Sequence, residues 1–136
     1  MNADHTFSFQ DRVHQWATEC FGPIISNDKV ERTFRFLEEA LELGQAVGCT
    51  KEQAIALVEY VYNRPPGEPW QEIGGSIVTL AVLAQALGYS MATAGEVELG
   101  RVRQPAIMQK VRRKQAAKRG VVSHAAQEAL PGEWNE

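Results

Sequence analysis

Three glutamates, Glu38, Glu39 and Glu42, fall within little more than one helical turn of the segment FRFLEEALELGQAV, Phe34 to Val47. Glu39 and Glu42 are three residues apart, so on a helix both carboxylates reach one point beside it. Hard divalent cations take such oxygen ligands. Glu38 and Glu42, four apart, form a like-charge pair that costs about 0.2–0.5 kcal/mol. The plain alternative is a solvated face, with Arg35 pairing with Glu38 or Glu39. A fourth acid, Glu72, stands at the mouth of a segment that is apolar nearly to Ala86, with Ser76 and Thr79 following on its face. A helix N-terminus favours an acid there through its macrodipole. A carboxylate at the entrance to a core helix also calls for a partner, and helical bundles build metal sites from facing acids.

The elements that must position these acids are helical. A first helix is expected from Ser8 to Phe21, interrupted by GPIISND, where Gly22 and Pro23 are breakers. Ser26 to Asp28 supply N-cap candidates for a second helix ending near Gly48. Thr50 and Gln53 have capping-box spacing and open a third helix, Lys51 to Tyr62. After the stiff loop NRPPGEP, a fourth helix runs from about Trp70 to Ala86 and stops at Gly88. Ser90 caps a last helical stretch that Pro105 kinks or splits before Lys118. On the second helix, Val30, Phe34, Phe36, Leu37, Leu41, Leu43 and Val47 cover about half the circumference. Glu31, Arg35, the three clustered acids and Gln45 share the rest. The fourth helix is apolar nearly all round, a pattern that normally means burial.

The chain has 136 residues, 44% of them hydrophobic, the size of one domain with a real core. We expect a single all-α domain over residues 1–119, a four- to five-helix bundle, with a loosely ordered tail over 120–136. The net charge of −3 hides an uneven distribution. Arg101 to Arg119 holds eight Lys or Arg residues and no acid, leaving about −11 on the rest. Cys20 and Cys49 match no metal-knuckle or redox-pair spacing and fit a reducing compartment. Met1 to Gln10 lacks an apolar leader segment. Ile73 to Leu87 is too short and too interrupted to span a bilayer. The expectation is a soluble cytoplasmic protein.

EEALEL resembles the E-E-x-x-E-L motif of the MazG-like all-α nucleoside triphosphate pyrophosphohydrolases. QEIGG, thirty residues on, resembles their second motif, E-x-x-D. The resemblance covers about Phe9 to Lys118. It implies a bundle of that family's type, a Mg²⁺-dependent enzyme (Mn²⁺ is the natural substitute) that cuts a nucleoside triphosphate to a monophosphate and pyrophosphate, and a dimer or dimer of dimers. Carried over by position, Glu39 and Glu42 match the acids of the first motif, Glu72 matches the first acid of the second, and Glu38 matches the extra acid before the pair. One position departs: the last acid of E-x-x-D falls on Gly75. Glu98 and Glu96 are the nearest acids that could fill the gap, and Glu98 is taken as a candidate metal ligand.

Within that chemistry Glu38 or Glu39 is the candidate to orient or deprotonate the attacking water. Lys110, Arg112, Arg113 and Lys114 on the basic stretch, and Arg64 in the loop, are candidates to meet phosphate charge. Trp16, Phe21 or Trp70 could line a slot for the base, although core packing is the commoner role for each. Two other classes stay open: a metal- or nucleotide-binding relative without turnover, which Gly75 motivates, and a nucleic-acid-binding or interaction protein using the basic stretch. The absence of aromatic residues there weakens single-strand binding. The apolar fourth helix is too much for four short neighbours to cover, so a homo-oligomer, in the first instance a dimer, is expected. No membrane partner is expected.

Overall fold

The computed structural model describes residues 7–129, with side chains to residue 118. Six helices account for the described chain: α1 Phe9–Ser26, α2 Lys29–Ala46, α3 Lys51–Tyr62, α4 Pro69–Leu87, α5 Met91–Val102 and α6 Pro105–Ala129. No strand occurs among the described residues, so the fold is all-α. The count exceeds the expected four or five because Pro105 splits the last helical stretch instead of kinking it, the second of the two outcomes expected there. Pro105 stands at the first position of α6, where its missing N–H costs nothing.

Local chemistry sets the other boundaries. Ser8 and Asp11 form a capping box at α1, and Thr50 and Gln53 form the expected one at α3. Asp28 Oδ1 accepts from the N–H groups of Val30 and Glu31 at the start of α2. Ser90 Oγ accepts from Thr93 N at 3.1 Å, opening α5. Gly88 closes α4 at φ 78°, a left-handed turn that a residue with a Cβ adopts at a cost. The tail boundary is different from expectation: α6 does not stop near Lys118 but continues as helix to Ala129. Residues 130–136 lie outside the described residues.

The chain divides into two compact units: Arg32–Gly95 forms one, and the segments before and after it form the other. The flanking unit contains α1, the start of α2, the end of α5 and α6. Its packing centres on α1 against α6. Cys20, Leu99 and Val102 are buried there, as are Glu31 and Gln115, and the Gln115 amide donates to the Glu31 carboxylate. Trp16 donates its indole N–H to the Val102 carbonyl at 3.0 Å and meets Phe21 edge-on at 5.6 Å.

The break in α1 is repaired from α6. Gly22 leaves helical geometry at φ 79°, ψ 163°, and Pro23 has no N–H to offer the carbonyl of Glu19. Arg112 supplies the missing donors, with Nε to the Cys20 carbonyl at 2.8 Å and Nη2 to the Glu19 carbonyl at 3.0 Å.

The central unit leaves the apolar fourth helix uncovered, as expected of four short neighbours in one chain. Neither α3 nor α4 has a buried residue. Ile73, Ile77, Val78 and Val82 of the supposed core helix are between 54% and 65% exposed. A helix that is apolar all round must be covered by something, and one chain does not cover it.

Candidate functional site

Of the sequence-derived candidates, Glu38, Glu39, Glu42, Arg64 and Glu72 lie in the central unit, and Trp16, Glu98, Lys110 and Arg113 in the flanking one. On α2, Glu39 and Glu42 are both exposed. Their spacing sets the two carboxylates on one face, a turn apart. Glu38 is held: Arg35 Nη1 lies 2.6 Å from its Oε2. That pair is the one anticipated for a solvated face, and it holds the Glu38 carboxylate from within α2.

Between α2 and α3 lies an apolar groove of ≈ 700 Å³. Leu37 and Leu41 line one wall and Leu57, Val58 and Val61 the other, with Glu38 and Glu42 among its lining residues. The turn between the helices, which Cys49 and Thr50 line, is one end of the groove. The acid-bearing helix therefore borders an apolar trough along the same stretch of residues.

Glu72 opens α4 in its first turn. Its carboxylate folds back over Gly67 so closely that a Cβ there would collide with it, and only the side chain's flexibility would make room. The two hydroxyls that follow are spent within the helix. Ser76 Oγ donates to the Glu72 carbonyl at 2.8 Å, and Thr79 Oγ1 to the Gly75 carbonyl at 2.8 Å. Around Gly75 itself a Cβ would meet nothing within 4 Å. No neighbouring backbone of the central unit occupies the place of the missing acid.

Glu98 is engaged elsewhere. Arg101 donates to both of its oxygens, at 3.0 and 2.6 Å, and this holds its carboxyl below the usual range. Glu96 is likewise held below its ordinary value by Arg12, whose guanidinium donates to both of its oxygens. Such forked pairs leave few lone pairs for a metal.

Among the cations, Arg64 lies over the Tyr60 ring at 4.3 Å, an arrangement that retains its charge at the end of α3. Lys110 and Arg113 are exposed on α6. Arg112, next to them, points into the α1 break and is not available for phosphate. Trp16 has its polar atom committed to Val102 and serves the flanking unit's packing.

The donor chemistry of Glu39 and Glu42 suits a hard cation. The number does not: among the described residues no three His, Cys, Asp or Glu side chains come together within one chain. The chain matches no family model, no curated protein and no solved structure. Among the described residues, no single helix is long and apolar enough to cross a membrane.

Two features escaped the sequence. Glu31 reads as a solvent-side acid of α2 but is 6% exposed against Gln115. Nothing local marks its partner, since Gln104 and Gln109 stand in the same basic run. Arg112 reads as one cation among eight, and nothing local distinguishes it from its neighbours.

Proposed function

We propose that the protein is a divalent-metal-dependent nucleoside triphosphate pyrophosphohydrolase, acting as a homo-oligomer of the MazG-like type and releasing a nucleoside monophosphate and pyrophosphate. The observation that carries this reading is the acid-bearing face of α2. Glu39 and Glu42 are exposed one turn apart, with Glu38 fixed beside them by Arg35. Bound Mg²⁺ supplies neutralisation of phosphate charge in such chemistry. Glu39 and Glu42 would supply part of the ligand set for that ion, and among the described residues one chain alone does not complete it. What the chain's own residues offer is a site for proton acceptance at Glu39 or Glu38, and positive charge at Arg64 for the leaving phosphates.

A panel of nucleoside triphosphates assayed for pyrophosphate release, with and without Mg²⁺ or Mn²⁺, tests the reading. Metal-dependent release that Glu42→Gln lowers by at least tenfold supports it. Absence of release from every nucleotide rejects it. Metal binding without release favours the second reading, a binding relative without turnover, which the open space at Gly75 supports. Salt-sensitive retention on DNA would instead point to the exposed cations of α6.

A further inference from the structure

The central unit presents two complementary features that one chain leaves unmatched. One is the apolar groove between α2 and α3. The other is α4, on which Ile73, Ile77, Leu80, Ala84 and Leu87 recur at alternating steps of four and three. That is the spacing of a seam that packs into a neighbouring helix pair. Ile73 and Ile77 are 60% and 54% exposed, and Leu80 and Leu87 remain 39% and 38% exposed. The seam extends about 21 Å along α4 and the groove-lining helix α3 about 17 Å, at 1.5 Å per residue.

The exposed surface also has the size of an interface. The large apolar residues of α3 and α4 that stand more than a third exposed number thirteen. At roughly 80 Å² apiece they present on the order of 1,000 Å² per chain, against about 800 Å² that each partner buries in a stable complex. A self-complementary pairing fits a two-fold dimer, in which each copy offers both seam and groove.

We infer that α4 of one chain seats in the α2–α3 groove of a second copy, so that Glu72 of one copy joins Glu39 and Glu42 of the other. Glu72 immediately precedes Ile73, the first residue of the seam, and Glu42 and Glu38 are among the groove's lining residues. Seated with its first turn at the Glu38 end of the groove, away from the Cys49–Thr50 turn, α4 carries its first-turn acid to the acids of α2. The shortfall in one chain, where among the described residues no three such groups meet, follows from the site's being divided between copies. The placement of the acids as ligands rests on the proposed function; the seating of α4 does not.

The test uses full-length protein, light scattering and Mn²⁺ binding by equilibrium dialysis. Wild type is expected to have a dimer mass and one Mn²⁺ set for each chain. Glu42→Gln and Glu72→Gln, each prepared alone, are expected to lose those sites while keeping the dimer mass. Co-refolding the two variants in equal amounts makes half of the dimers mixed. Each mixed dimer has one site with both substitutions and one with neither, so about a quarter of the wild-type Mn²⁺ sites return under two-fold symmetry. A site built within one chain carries a substitution in every copy, and no recovery on mixing would overturn the inference. So would a monomer mass, or Mn²⁺ binding that neither substitution alters. Recovery of Mn²⁺ sites without pyrophosphate release from any nucleotide would reject the proposed reaction and uphold the shared site. If co-refolding fails, co-expression of the two variants with different tags and isolation of the mixed dimer gives the same comparison, with half of the wild-type sites expected.

Discussion

The flanking unit and the central unit solve the same problem by opposite means. In the flanking unit, several polar groups are met from within the chain: Arg112 meets the carbonyls freed by the Gly22 break, Trp16 meets Val102, and Gln115 meets Glu31. Its apolar residues Cys20, Leu99 and Val102 are buried. In the central unit α3 and α4 bury nothing, although α4 is among the most apolar segments of the chain. Buried polar partners specify geometry residue by residue. Exposed apolar stripes specify only that something apolar must cover them. The first unit finds partners for several of its polar groups within the chain; the second leaves its apolar helices α3 and α4 uncovered.

The largest expected effect breaks that contrast at its weak side. Ile77→Asp places a charge on the α4 seam. If α4 is covered by a second copy, the dimer mass is lost and the protein is destabilised by about 3–5 kcal/mol, as an unpaired buried charge requires. If α4 faces water in the working protein, the change stays within about 0.5 kcal/mol. Light scattering and urea unfolding distinguish the two.

The strong side is broken by Arg112→Met, which keeps much of the side chain's apolar stem but leaves two carbonyls without their charged donor. The expected cost is about 1.5–3 kcal/mol in urea unfolding, with the oligomer mass unchanged. A cost near zero would mean that water serves those carbonyls as well as Arg112 does.

Gly75→Asp sharpens the comparison by adding a carboxylate where the chain has open space. The helix gains a few tenths of a kcal/mol from losing a glycine. Mg²⁺ affinity by calorimetry is expected to rise several-fold. Weaker binding together with a lower melting temperature would show that the space is taken by the covering helix, and that glycine is there for closeness.

The smallest effect concerns Glu96, whose pairing with Arg12 ties the start of α1 to α5 within the flanking unit. Its folded pKa lies below the ordinary value of 4.5. The stabilisation is therefore complete above pH 4.5 and lost as pH falls through the depressed value. Glu96→Gln is expected to lower the melting temperature slightly at pH 6 and not at all near pH 3. An equal decrease at both would assign the loss to packing instead of charge.

The same contrast explains what the sequence could disclose. Helix boundaries were legible because their causes are local: Thr50 with Gln53, Ser90 with Thr93, and Gly88 at a left-handed turn all act within a few residues. The acid pair on α2 was legible for the same reason, since i,i+3 geometry needs only one helix. That four short neighbours could not cover α4 was legible, whereas what does cover it was not, because apolar periodicity states a demand and not who meets it. Arg112 and the Glu31–Gln115 pair were illegible because their partners lie far along the chain. Glu98 was assigned by proximity in sequence to Gly75, whereas Arg101, three residues away from it, is what holds it.

The repair of α1 by α6 has a further consequence in chain entropy. Arg112 and Cys20 are 92 positions apart. Bringing the ends of a loop that long together costs roughly 4 kcal/mol beyond a fixed term. None of that cost can be recovered until α6 exists and arrives, whereas every helix of the central unit lies within the loop being closed. Order inside the loop shortens its effective length, so the central unit's helices lower the cost of closing the flanking one. The contact that mends a single proline-broken turn thus makes the folding of each end of the chain depend on what has already formed between them.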